Sequence, residues 1–143
     1  MVLAALLADT IFIRISTSQK IFQKNPVKHV DFGSRIDGFV AHGDPIDIHG
    51  HSAALLNLAQ ILKPGGTLYL SMPFGVERIE YNAHRIFHLG AMRDLIECSF
   101  EIIDFATVDD TGELHKNANL NSAVQSSDHH QFALAIFELR KLV

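Results

Sequence analysis

The chain has 143 residues, of which 48% are hydrophobic and 20% charged, and its formal net charge at pH 7 is −4. That length supports one domain with one core, and the composition is that of a globular protein rather than a disordered or fibrous one. No basic stripe is present, which argues against nucleic acid as a partner because phosphate binding needs clustered Lys and Arg.

The expectation is a single domain over residues 1–143. Its one cysteine, Cys98, excludes an internal disulfide framework and fits a reducing compartment, with the thiol buried and structural. The N-terminal run from Met1 to Ala8 is apolar, but it lacks a preceding positive residue and Asp9 interrupts it. A signal peptide needs a basic start, and a membrane span needs roughly twenty apolar residues. The run therefore reads as a short buried helix or a frayed end, and the protein as cytoplasmic with no membrane partner.

In chain order, the segment from Ser18 to Phe22 reads as helical and is closed by Asn25-Pro26. Val27 to Phe32 is a short strand ending at Gly33-Ser34. Arg35 to His42 starts a helix that Gly43-Asp44-Pro45 breaks. A better-marked helix runs from Ser52 to Leu62, with Leu55, Leu58, Ile61 and Leu62 on one face, His51-Ser52 as its cap, and Lys63-Pro64-Gly65-Gly66 as its stop. Thr67 to Met72 alternates as a strand does, and Pro73 terminates it. A helix from Gly90 to Glu97 turns Met92, Leu95 and Ile96 inward. A strand from Phe100 to Phe105 follows directly. Asp109 to His130 is polar and reads as a long loop with a turn at Asp110-Thr111-Gly112, and Phe132 to Leu139 is the last strand. Strands alternating with helices predict an α/β sheet with helices on its faces. The last two strands have no helical pattern between them and are expected to pair antiparallel at one side.

Two motifs bear on chemistry. In Asp31-Phe32-Gly33-Ser34-Arg35-Ile36-Asp37-Gly38 a strand ends in glycine and opens a helix, so the backbone can approach a ligand and the helix start offers free N–H groups. A purely structural turn explains the same residues equally well. The second is the Leu62-Lys63-Pro64-Gly65-Gly66 joint before an apolar strand, which resembles the approach to the fifth strand of class I methyltransferases.

With Gly43-Asp44-Pro45-Ile46-Asp47, Gly50-His51, the segment from Glu77 to Phe87, and Val108-Asp109-Asp110-Thr111-Gly112, these motifs closely resemble the methyltransferase-like domain-of-unknown-function family 268. The resemblance covers most of the chain from Ser18 onward. It implies a truncated, Rossmann-like class I methyltransferase-type sheet, mostly parallel with an antiparallel C-terminal strand. It also implies S-adenosylmethionine as cofactor, held by Asp31, Gly33, Ser34, Arg35, Asp37 and Gly38, and a small-molecule acceptor such as a sugar or polysaccharide precursor. The chain departs from that pattern between Gly33 and the glycine joint. Only about thirty residues stand where the fold places three further strands, and no acidic residue occupies the ribose-binding position at the end of a second strand. The strand before Gly33 and the strand after the glycine joint must then pair directly, or the sheet must lean on a partner chain through an exposed edge.

The polar segment Glu77, Glu80, Asn82, His84 and Arg85 follows an apolar strand, where a substrate would sit. The catalytic candidates are His84, whose ordinary pKa of about 6.5 suits proton exchange near neutrality, and Arg85, which can grip a carboxylate or phosphate with two prongs. A polar network that merely fastens a loop accounts for the same residues. The run Asp44, Asp47, His49, His51 matches no trusted metal motif and is expected to hold none. His129 and His130 are expected in solvent. Three readings stay open: a methyltransferase of unidentified acceptor, a non-catalytic truncated domain serving in binding or assembly, and a fragment that does not fold stably alone and aggregates or dimerises through its exposed sheet edge.

Overall fold

Leu68, Leu70, Met72 and Phe74 alternate with Thr67, Tyr69 and Ser71, and the first set is buried while the second is half-buried. That period of two is what a pleated strand with one core-facing side requires. The computed structural model describes residues 8–14, 49–80 and 84–143. The elements are β1 (Ala8–Arg14), α1 (Gly50–Ile61), β2 (Leu62–Phe74), β3 (Arg78–Glu80), β4 (His84–Ile86), α2 (Leu89–Glu97), β5 (Phe100–Val108), β6 (Leu114–His115), α3 (Leu120–Gln125), a single 3₁₀ turn (Ser127–His129) and β7 (Ala133–Lys141).

The main sheet has the order β1-β2-β7-β5-β6, and β3 and β4 form a separate hairpin. Among the described strand pairs of the main sheet, only β1 and β2 run parallel; β2–β7, β5–β7 and β5–β6 are all antiparallel. This overturns the expected mostly parallel, Rossmann-like sheet. The reason lies in the connections. A parallel neighbour needs a long crossover, usually a helix across the sheet face. Between β5 and β7 the chain instead turns back through β6 and the short α3, and re-enters in the opposite direction. It also re-enters in the middle, between β2 and β5, rather than at one side.

One sheet face carries the core. Ala133, Ala135, Phe137 and Leu139 of β7 and Phe100 and Phe105 of β5 join the buried β2 residues there, with the Phe105 and Phe137 ring centroids 4.9 Å apart. Leu55 and Leu58 of α1, Leu89, Met92 and Ile96 of α2, and more loosely Leu120 and Val124 of α3 pack against it. Phe74, Phe100 and Phe137 are fully buried, and each such side chain removed from water contributes about 2–3 kcal/mol.

Several local expectations change. No strand was expected at β1. The helix at α1 begins earlier than Ser52, with His49 at its N-cap and no side-chain cap bond. Lys63 to Gly66 lies within β2 rather than before it, and Gly65 supplies a positive φ of +74° at that joint. Pro73 does not end the strand; it stays opposite Leu134, and its carbonyl accepts the Phe87 N–H at 3.2 Å. Cys98 is exposed, not buried, and its Sγ–H points to the Asp94 carbonyl at 3.3 Å. It follows the inward-facing Ile96 by two positions, about 200° around the helix, and so leaves the core side. The expected helix at 18–22, strand at 27–32 and helix start at 35–42 lie outside the described residues. Among the described residues no helix is long and apolar enough to cross a membrane.

Candidate functional site

β1 and β2 bring their carboxyl ends to the same rim of the sheet, since Arg14 stands level with Ser71. β2 continues to Phe74, and the chain then turns at Gly75, makes the β3–β4 hairpin and returns so that Phe87 bridges Phe74 in parallel. Gly75 N–H donates to the Phe87 carbonyl at 3.0 Å, so the hairpin is fastened to the end of β2 by backbone bonds on both sides of the turn.

The hairpin positions Arg85. In β4 it pairs with Ile79, and its Nη2 donates to Glu77 Oε1 while its guanidinium lies 5.4 Å from the Phe87 ring centroid. The Arg85 side chain is only 18% exposed, against 46% for Glu77. The Phe87 ring is buried, and the His51 ring from the first turn of α1 stands 5.4 Å from it. His84 is the neighbouring residue of β4, opposite Glu80.

Two further segments close on this rim. His88 caps α2, its Nδ1 accepting the Gly90 N–H at 3.2 Å, and its Nε2 lies 3.9 Å from the Asp128 carboxylate. The buried Ser127 hydroxyl accepts the Leu89 N–H at 3.2 Å. His130 is not free in solvent: its ring meets Phe74 edge-on at 5.2 Å, its Nδ1 is 3.6 Å from Asp110, and its carbonyl accepts the Val76 N–H at 3.1 Å. Asp110 accepts the Gln131 and Phe132 N–H groups at 3.0 and 2.7 Å. Those two bonds hold its carboxyl below the usual range.

The Asp109-Asp110-Thr111-Gly112 segment is a turn, and a well-tied one. The Asp109 carboxylate meets His115 Nε2 at 2.9 Å and accepts from the Thr111 hydroxyl and from the Thr111 and Glu113 amides. The His115 bond, then the Thr111 hydroxyl, lower the Asp109 pKa well below the carboxylate range, and the same bond raises that of His115. The ligand atoms of Asp109, Glu113 and His115 lie within 4.8 Å of one another.

Of the residues expected from sequence, Arg85 has its side chain at this rim, and His84 precedes it in the backbone of β4. Asp31, Gly33, Ser34, Arg35, Asp37 and Gly38 lie outside the described residues, as do Asp44 and Asp47. Sequence reasoning missed His88, Ser127, Asp128 and the hold of Asp110 on the start of β7. Ser127 and Leu89 are 38 residues apart, and no spacing rule links such positions.

What the rim offers chemically is a half-buried guanidinium braced by an aromatic ring, imidazoles from three segments, and loops tied to rigid strand and helix ends. No curated protein and no solved structure matches the chain. A family model does match, over residues 21–142, and the chain therefore belongs to the family described as "Caenorhabditis protein of unknown function, DUF268".

Proposed function

We propose that this chain is a methyltransferase-like protein that takes S-adenosylmethionine and receives a small polar acceptor, of the sugar or polysaccharide-precursor kind, at the rim to which residues 75–80 and 84–88 contribute. The reading is supported by the resemblance carried by the sequence motifs. The single structural observation behind it is Arg85, mostly buried and braced by Glu77 and Phe87 beside the carboxyl ends of β1 and β2. In this reading Arg85 grips an anionic group of the acceptor. His84, next to it in β4, is the candidate to take the acceptor's proton. The cofactor when bound would supply the methyl group. The residues expected to hold it lie outside the described residues, so titration decides its fit. Calorimetric titration with S-adenosylmethionine and its demethylated product tests the reading. Micromolar binding supports it, and heat-free titration of a folded protein sinks it.

A second reading is a non-catalytic domain serving in binding or assembly. The observation that favours it is the mostly antiparallel sheet, in which β1 is an outer strand paired with β2 alone among the described residues. A second copy adding to such an edge would give a homodimer. Light scattering that finds only monomer counts against assembly through that edge, and methyl transfer to any acceptor removes this reading.

A further inference from the structure

We infer that Glu77 is a displaceable internal carboxylate, standing on Arg85 in the place of a carboxylate carried by a small-molecule ligand. The inference rests on the rim as the acceptor site and narrows the acceptor to acidic molecules. The pair is asymmetric in burial: Arg85 is 18% exposed and Glu77 46%. The guanidinium is held from below by Phe87 and its backbone is held in the β3–β4 ladder, so it stays in position without Glu77. Glu77 lies in the turn between β2 and β3, outside both strands, so its side chain can leave without disturbing a ladder.

Energetics agree with exchange. An ion pair with an exposed partner is weak, and the planar fork of Arg prefers a carboxylate that meets it with two oxygens. A ligand carboxylate entering the rim replaces one negative charge by another while Glu77 returns to water. The nearby first turn of α1 carries no acidic side chain to oppose it.

The test is a titration of the full chain with D-glucuronate, with glucose as the neutral control and inorganic phosphate as the second anion. Amide chemical shifts and calorimetry provide the readouts. Glu77→Gln should bind glucuronate about fivefold more tightly than the parent, the ceiling for an exposed ion pair. Arg85→Gln should lose binding, and glucose should bind to none of them. Equal affinity in the parent and Glu77→Gln overturns the proposal, as does unchanged binding in Arg85→Gln. A gain for phosphate but not glucuronate overturns the carboxylate assignment. Thermal melts check folding, and if Arg85→Gln unfolds, Glu77→Gln decides alone. S-adenosylmethionine is titrated into the same samples. Failure there with the glucuronate gain kept removes the methyl-transfer reading only, and the reverse result removes this inference only.

Discussion

Gly75 is the hinge on which the rim is built, and Gly75→Ala is the perturbation that tests it. Gly75 has φ of +155°, a conformation side chains rarely adopt, and a Cβ placed there would collide with the His130 carbonyl oxygen, lying 3.1 Å from its carbon and 3.3 Å from the Gln131 oxygen. These are backbone atoms, so no side chain can swing away to make room. The strained conformation costs about 1–3 kcal/mol. Moving the two segments apart weakens the Val76 N–H bond to His130 and the Gly75 N–H bond to Phe87, at about 1 kcal/mol each. The sum is about 3–5 kcal/mol, or a fall in Tm of about 6–20 °C for a chain of this size. Urea denaturation followed by circular dichroism measures it. Gly112→Ala is the control: φ there is +88°, but nothing lies within 4 Å of the added Cβ, so only the conformational cost of about 1–2 kcal/mol applies. Equal losses in the two variants would refute the collision argument and with it the tight seating of residues 130–131 on the β2 end.

Other outcomes follow from the same contacts. Ser127→Ala removes the buried acceptor of the Leu89 N–H and should cost about 1–3 kcal/mol in urea melts, with faster hydrogen exchange at Leu89. Phe137→Ala opens a cavity beneath Phe105 in the middle strand and should cost about 3–5 kcal/mol by the same melts. The Asp109–His115 contact should depend on pH in both directions. The Asp109 pKa is lowered, so its contribution is present above about pH 4 and is lost as pH falls through the folded value. The His115 pKa is raised, so its contribution is full below about pH 6.5 and is lost as pH rises through the folded value. The β5–β6 turn should thus be tightest between those limits. An NMR titration of His115 that is the same in Asp109→Asn as in the parent would show the pairing to be wrong.

What the sequence alone determined is local. The stripe of Leu55 and Leu58, the inward Met92 and Ile96, and the alternation through Leu68, Leu70 and Met72 are periodic signals that neighbouring residues carry by themselves, and these elements stand close to where the periodicity places them. That a polar run containing Arg85 follows the apolar strand β2 was legible from the order of residues alone. Tertiary structure alone decided strand polarity and order. Whether β7 enters beside β2 or at one side of the sheet, and in which direction, depends on a connection of polar turns whose spacing has no period. β1 was invisible because seven residues of mixed character become a strand only when β2 offers them a ladder. The rim was decided in the same way. Ser127 reaches Leu89, Asp110 reaches Phe132 and His130 reaches Phe74 across separations that carry no pattern, because a hydrogen bond or ring contact is set by distance in space and leaves no mark along the chain.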